Sequence, residues 1–425
     1  MPVIGLTACP DLASYQPGLD PDWESLRARL SEPRLDCLNS SEFFALYGAA
    51  QLNTGRVSEA IESLELALLL NPENGAALID YAQALIQDGQ LFAAISANEL
   101  LLERDDIPPN LASQVIERQE NWQSLTRQTM WQIDMMGGFD DNLNGAPNQD
   151  LITLTPSGEP ILLRLDDAFR ATSGGIFNMR VVGRHRRLTA ERQHNFLGEL
   201  RSRTSTESES ELAQMSARYN LAPRGRSLGW SASAGIDHLY LSGKPLFTGV
   251  SGSIRLTPTP MMSCQHYYGV AFQHQHWHER DQLDGLESKL GVGVNCPLMF
   301  NSKHSMNAEV GYLRNSKLNQ ERQGGSREGW QVVLDWEYIL DRGVLSAQFN
   351  HTRLRDGVGY SPLLSFDARR VTERNTVLIR YRQNMPIFGP RAQFIATIYN
   401  QDQLSNIDLF QTRDTSAELG VSWQF

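Results

Sequence analysis

From about residue 127 to the last residue, apolar side chains recur at every second position, and no other feature restricts the fold of this chain so severely. A side-chain period of two belongs to the β-strand, whose successive residues point to opposite faces. In GWQVVLDWEYIL, Trp330, Val332, Leu334, Trp336 and Tyr338 share one face, with Gln331, Val333, Asp335 and Glu337 on the other. SLGWSASAGID sets Leu228, Trp230, Ala232, Ala234 and Ile236 against Gly229, Ser231, Ser233, Gly235 and Asp237. SAELGVSWQF alternates to its last atom, Ala417, Leu419, Val421, Trp423 and Phe425 opposing Ser416, Glu418, Gly420, Ser422 and Gln424. Soluble domains usually fray into polar tails. An apolar face that runs to the last residue needs something to cover it.

Such segments fall at 128–143, 173–188, 193–204, 210–221, 226–242, 245–256, 262–279, 286–300, 303–316, 328–340, 343–355, 372–385, 390–401 and 413–425. Fourteen is an even number, and the connections alternate between short turns such as 340–343 and long excursions such as 144–172 and 356–371. Both features are what a closed transmembrane barrel asks for. The hydrophobic fraction of 41% and the mean hydropathy of −0.37 look soluble. No run approaches the ~18 apolar residues of a membrane helix, but a barrel shows only alternate residues to lipid and keeps a modest average. A soluble sandwich also alternates. Three features favour lipid. Aromatics (Trp131, Phe139, Trp330, Tyr338, Trp423, Phe425) sit near strand ends on the apolar face, as an interfacial girdle requires. The second face mixes charges with small residues, which suits a wet or plugged lumen. The final Glu418-x-Gly420-x-x-Trp423-x-Phe425 resembles the C-terminal signal by which bacterial outer-membrane barrels are recognised for insertion.

Ahead of the barrel the period changes to that of a helix. The stretches beginning at Phe44 and Leu78 match at an offset of 34 residues, aligning Gly48 with Ala82, Gly55 with Gly89 and Ala60 with Ala94, while Pro72 closes the first unit. This is the period and small-residue pattern of tetratricopeptide repeats. Gly48 and Ala60 let paired helices approach, and Gly55 makes the turn between them. Two units are few for a stable stack, so flanking helices are expected at 22–32 and about 110–124. The expected fold class is therefore α + β in two domains, all-α tetratricopeptide-like repeats followed by a 14-stranded antiparallel transmembrane β-barrel. Residues 1–40 form an N-terminal segment with a capping helix, 41–125 the repeats and 126–425 the barrel.

Four cysteines with no CxxC spacing argue against a zinc site. A turn centred near Arg280 would bring Cys264 opposite Cys296 on the apolar face, and Cys9 with Cys37 would staple the segment before the repeats. Both pairs are expected as structural disulfides in an oxidising compartment. Leu6-Thr7-Ala8-Cys9 is similar to the end of a lipoprotein signal, although only eight residues precede Cys9. A trimmed leader, coincidence and a lipidation site are its three readings. His274, His276 and His278 alternate along one strand face and read as a polar rim, with metal binding as the competing reading. Asp335, Glu337, Arg380 and Arg382 point to the other face, where they could line a path or hold a plug. GGFDDNLNGAPNQDL (137–151) has the composition of a surface loop with tight turns, and LITLTPSGEPILLRL after it reads as a hairpin over or into the barrel mouth. No nucleophile elbow, phosphate loop or dinucleotide fingerprint frames the Ser, His and Asp residues. Nor does a net charge of −11 suit a nucleic-acid binder. The sequence indicates no enzyme, no cofactor, no metal and no nucleic-acid partner.

Repeats followed by a fourteen-strand barrel, GGFDDNLNGAP at the exit of the first strand and the terminal ELGVSWQF resemble the surface lipoprotein assembly modifier family of Gram-negative bacteria. The resemblance implies a barrel in the cell outer membrane that helps deliver client proteins to the surface, with the repeats in the periplasm engaging clients or chaperones. Its implied partners are a client surface or secreted protein, outer-membrane lipid, periplasmic chaperones and the barrel-assembly machinery. A polysaccharide-export porin, which also couples repeats to a barrel, is the chief competing expectation, and a plugged structural or adhesive barrel with no transport role is a third.

Overall fold

Six helices form at the N-terminal side because polar caps and glycine turns punctuate an otherwise apolar-periodic sequence. The computed structural model describes residues 9–15, 21–207, 210–224, 229–259, 264–298 and 303–425. The signal-like residues before Cys9, the first residues of the strands expected at 226–242 and 262–279, and the end of 286–300 lie outside these. Helices α1 (Trp23–Ser31), α2 (Ser41–Asn53) and α4 (Gly75–Gln87) are each capped, by Asp22, Ser40 and Asn74, whose side chains accept from the N–H groups of Ser25, Phe43 and Ala77. Between α2 and α3 (Val57–Leu70) the chain turns at Gly55, and between α4 and α5 (Leu91–Leu102) at Gly89. Their φ values of +77° and +82° lie in the left-handed region that glycine enters without strain. A Cβ on Gly48 would fall 2.6 Å from Leu64 Cγ, so the bare backbone is what lets α2 and α3 close.

Ala60, Ala82 and Ala94 are fully buried, and Pro72 lies in the exposed link between the hairpins. Ser41 and Asn74 tie the hairpins together. Ser41 Oγ donates to Ala67 O at 2.8 Å, and Asn74 Nδ2 donates to Ser41 Oγ at 2.9 Å. α6 (Pro109–Leu125) closes the stack with Val115 and Trp122, and its Gln119 accepts at 2.9 Å from the fully buried Asn98.

The remaining strands are β1 (Arg127–Asp140), β2 (Leu151–Leu154), β3 (Ile161–Arg164), β4 (Gly174–Leu188), β5 (Arg192–Ser205), β6 (Leu212–Pro223), β7 (Gly229–Leu241) and β8 (Lys244–Thr257). They continue as β9 (Gln265–Trp277), β10 (Gly285–Leu298), β11 (His304–Lys317), β12 (Arg327–Leu340), β13 (Gly343–Asp356), β14 (Val371–Asn384), β15 (Ala392–Ser405) and β16 (Thr412–Gln424). β1 and β4 to β16 make one closed antiparallel barrel of fourteen strands, each beside its chain neighbour, with β1 between β16 and β4. Closure leaves no unpaired edge. The chain divides into two compact units, Met1–Arg127 and Gln128–Phe425.

Register fixes the faces. Across β11 and β12 the outward rows pair Tyr312 with Trp330, Val310 with Val332, Ala308 with Leu334 and Met306 with Trp336. The inward rows pair Glu309 with Val333, Asn307 with Asp335 and Ser305 with Glu337. On the outside Leu290 is 67% exposed and Leu419 61%, with Trp131, Phe139, Val250, Tyr268 and Ile398 each more than half exposed. Contiguous apolar exposure on this scale is incompatible with a water-facing surface and matches a lipid-facing band. No described helix is long and apolar enough to cross a membrane.

Short connections such as 189–191 and 341–342 lie at one end, where β1 begins and β16 finishes. The excursions 141–173, 318–326 and 357–370 lie at the other. The hairpin β2–β3 sits over this loop end. Thr155 N–H donates to Leu363 O at 2.9 Å, Phe366 N–H to Thr155 Oγ1 at 3.0 Å, and Thr153 Oγ1 to Asp408 Oδ2 at 2.9 Å. It is anchored to the neighbouring loops and does not enter the wall.

Candidate functional site: the barrel lumen and its closing seam

β1 and β16 close the cylinder in a register running from Gln132↔Gln424 to Asp140↔Ser416. Two glycines allow this approach on the inner side. A Cβ on Gly138 would lie 2.1 Å from Ala417 O, and one on Gly420 2.0 Å from Met135 O. Backbone cannot yield as a side-chain tip does, so both positions require glycine. The C-terminal motif divides between faces. Glu418 and Gly420 point inward, Glu418 buried opposite Gly138 and Thr397. Trp423 and Phe425 point outward, with Trp423 Nε1–H donating to Phe388 O at 3.1 Å. Phe425 and Trp131 exchange backbone hydrogen bonds at 2.9 and 3.2 Å, carrying the seam to the last residue.

At the loop end the seam is latched by residues that composition assigns to an exposed loop. Asn142, Leu143 and Ala146 are buried. The amide of Asn142 donates to Ala146 O at 2.9 Å and to Arg413 O at 2.7 Å, while its Oδ1 accepts from Ala146 N–H at 2.9 Å. Asp141 accepts from Thr415 N–H at 2.6 Å, and Asn144 donates to Arg170 O at 2.7 Å and accepts from Thr172 N–H at 3.2 Å. One segment thus binds the first residues of β16 on one side and the lead-in of β4 on the other. The expected surface loop with its turn is present, with Asp141, Asn144, Gly145 and residues 148–150 exposed, but its buried Asn142, Leu143 and Ala146 also make it a clasp whose Asp and Asn side chains replace the ladder that β1 has left.

Inside, arginines meet carboxylates across strands. Arg180 makes a two-pronged pair with Glu199 at 2.8 Å and reaches Asp134 at 3.4 Å. Arg203 pairs with the buried Asp140 at 3.0 Å. Further round, Glu309 collects Lys289, Arg255 and the Tyr267 hydroxyl, and Arg255 lies 4.1 Å above the Tyr267 ring. Of the four inward charges expected from sequence, Glu337 and Arg382 pair at 3.1 Å. Asp335 accepts from Asn307 and Gln348, and Arg380 donates to Thr397 Oγ1 at 3.4 Å. A cavity of about 440 Å³ remains beside the seam, lined by Asn178, Arg180, Glu199, Arg201, Arg380 and Thr397 among others. Charges of both signs, largely paired, give a polar wall with no single-sign field.

Cys264 bridges Cys296 at the short-turn end of β9 and β10, and Cys9 bridges Cys37, so the Cys9 sulfur is already bonded. His276 and His278 stay side by side, their ring centroids 4.8 Å apart, and each has a further partner. His276 binds Asp284 at 2.8 Å, whereas His278 shares the Thr248 hydroxyl with His238 of β7, and His274 faces Val250 and Leu286 in other rows. Oxygens of Asp140, Asp141 and Asp414 lie within 4.8 Å of one another. Arg203 and the N–H groups of Asn142 and Thr415 already serve the first two. Reading the sequence alone misses the Arg180, Glu199 and Asp134 cluster. Its signal is present in the inward parity of NMRVVGR and LGELRSR but needs the register to be assembled.

Taken together these features define a class, a tetratricopeptide-like helical domain joined to a closed β-barrel of the outer-membrane type. Residues 51–112 match the tetratricopeptide repeat family. No curated protein matches the chain. Among solved structures, the helical part is similar to the type III secretion translocator chaperone SycD of Yersinia enterocolitica, at 22% identity over 24% of this chain and 73% of that one, with a TM-score of 0.23. The barrel is similar to a FadL homologue of Pseudomonas aeruginosa, at 10% identity over 71% of this chain and 90% of that one, with a TM-score of 0.38. It is also similar to an anion-selective porin from Comamonas acidovorans, at 8% identity over 70% and 100%, with a TM-score of 0.36.

Proposed function

We propose that this protein assists the translocation or surface display of client proteins, the helical repeats recruiting the client in the periplasm and the barrel supplying the route through the outer membrane. The supporting observation is covalent. α6 ends at Leu125 and β1 begins at Arg127, so Thr126 alone joins the repeat domain to the first wall strand. A client held by the repeats is kept at high effective concentration beside the barrel. Transit follows the lumen or the β1–β16 seam, and with no ATP in that compartment the driving force comes from client folding outside. The resemblance of the repeats, GGFDDNLNGAP and the terminal strand to the surface lipoprotein assembly modifiers favours the same reading. Clients, periplasmic chaperones, outer-membrane lipid and the barrel-assembly machinery are the partners it entails.

The alternative, a polysaccharide-export porin, calls for many repeats and a lumen biased to one charge. The paired lumenal charges weigh against it. The deciding experiment deletes the gene and probes the cell surface for secreted proteins encoded beside it. Display should be lost, and should return with the full chain but not with residues 126–425 alone. If every candidate client still reaches the surface, the reading fails. A steady ion-selective conductance in planar bilayers would favour the porin.

A further inference from the structure

The repeat domain carries a cleft at the edge of its helix-packing core. It lies between the end of α3, the start of α4 and the end of α5, with a volume of about 670 Å³. Leu68, Leu78 and Leu100 line it, and Leu100 is 56% exposed. In the last turn of α3, Leu69 and Leu70 are exposed as well. Leu78 is buried in the helical core and Leu68 packs partly against it, so the open apolar surface is Leu100 in the cleft with Leu69 and Leu70 beside it, a patch of the kind that a partner covers.

The rim identifies the partner. Glu73, Glu103, Asp105 and Asp106 surround the opening with Arg104 as the only cation in the lining. Arg104 is already committed, at 2.9 Å to Glu73 and 2.7 Å to Asp106. Among the described residues no cation pairs with Glu103 or Asp105. Helix C-termini carry negative partial charge, and neither α3 nor α5 has a basic residue in its last turn to offset it. Against Arg104 and the positive N-terminal end of α4, the four carboxylates and the two helix C-termini leave the rim net negative above the leucines.

We propose that this cleft docks a client segment in which leucine-sized apolar side chains are flanked by lysine or arginine. The inference rests on the recruiting role proposed above and gives that role its recognition chemistry. Apolar side chains fill the cleft while the cations meet Glu103, Asp105 and the helix ends, so affinity is salt-sensitive.

The test uses the full chain in nanodiscs of zwitterionic lipid and the fluorescence anisotropy of short labelled peptides that alternate Leu with Lys, Leu with Glu, or Ser with Lys. The Leu–Lys peptide should bind saturably and the other two weakly. The double reversal Glu103→Lys/Asp105→Lys should weaken binding by about tenfold or more, and Leu100→Ser should weaken it too. Glu32→Lys/Asp36→Lys changes net charge equally elsewhere in the domain and should leave binding unchanged. Should the double reversal lose helical circular dichroism, Glu103→Gln/Asp105→Asn replaces it, with weaker binding and a flatter salt dependence expected. Equal weakening by both reversals, equal binding of the Ser–Lys or Leu–Glu peptide, or self-association in place of peptide binding overturns the proposal. Surface display separates the two ideas. Peptide binding with display intact in the charge-reversed variant removes the cleft from recruitment, whereas display lost on gene deletion without peptide binding leaves translocation standing and removes the cleft.

Discussion

The side-chain amide of Asn142 donates to the backbone carbonyl of Arg413, 271 residues further along the chain, at 2.7 Å. This bond and its neighbours hold the first strand to the last where β1 leaves the wall. Asn142→Ala removes three hydrogen bonds and should destabilise the closed barrel by about 2–4 kcal/mol at ~1 kcal/mol each. The temperature at which the folded band gives way to the unfolded one on electrophoresis should fall. An unchanged transition would show that the latch contributes nothing.

Arg203 is the cation beside Asp140, whose side chain is buried in the wall. Arg203→Met leaves that carboxylate unpaired and should cost about 3–5 kcal/mol in urea unfolding. Asp140→Asn added to Arg203→Met should restore most of the loss. A double variant as unstable as the single would mean that the arginine acts through packing rather than charge.

In the helical domain, burial pushes the Asp80 carboxyl up to about 6 from its ordinary value of 3.8, against a smaller lowering by the positive charge of Arg118. The folded state therefore holds this proton more tightly than the unfolded one. Below the unfolded value both states are protonated and the penalty vanishes. Stability then falls as pH rises from about 4 to 6, and above that the whole penalty applies, up to about 3 kcal/mol. Asp80→Asn should raise the urea midpoint of the helical signal at pH 7.5 and leave it unchanged at pH 4. Equal midpoints at both pH values would contradict the shift.

The last strand is read as an assembly signal and is also half of the seam. Deleting Phe425 removes both backbone bonds to Trp131 and should lower the fraction of protein inserted in cells. Gly420→Val places a side chain against Met135 O and should prevent closure. Wild-type amounts of folded protein from the Phe425 deletion would end the signal reading.

Much of this fold is written locally. Strand faces follow from parity, so Trp330 and Asp335 are assigned before any partner is known. The repeat turns follow from Gly55 and Gly89. What stays hidden is whatever depends on closure. Asp134 meets Arg180 only because β1 lies beside β4, and no pattern within either strand encodes that neighbour. Asn142 belongs to a polar stretch, and tight-turn composition looks the same whether a loop faces water or clasps two strands. The histidines keep their neighbour along the strand, with the His276 and His278 rings 4.8 Å apart, but the Thr248 hydroxyl that joins His278 to His238 is visible only across β8.

Thr126 is the one residue between α6 and β1. A flexible linker would act as a weak entropic spring and absorb the movements of whatever it tethers. Here one residue separates the last turn of α6 from the first residue of β1, so a load on that helix meets no coil that could absorb it before the strand begins.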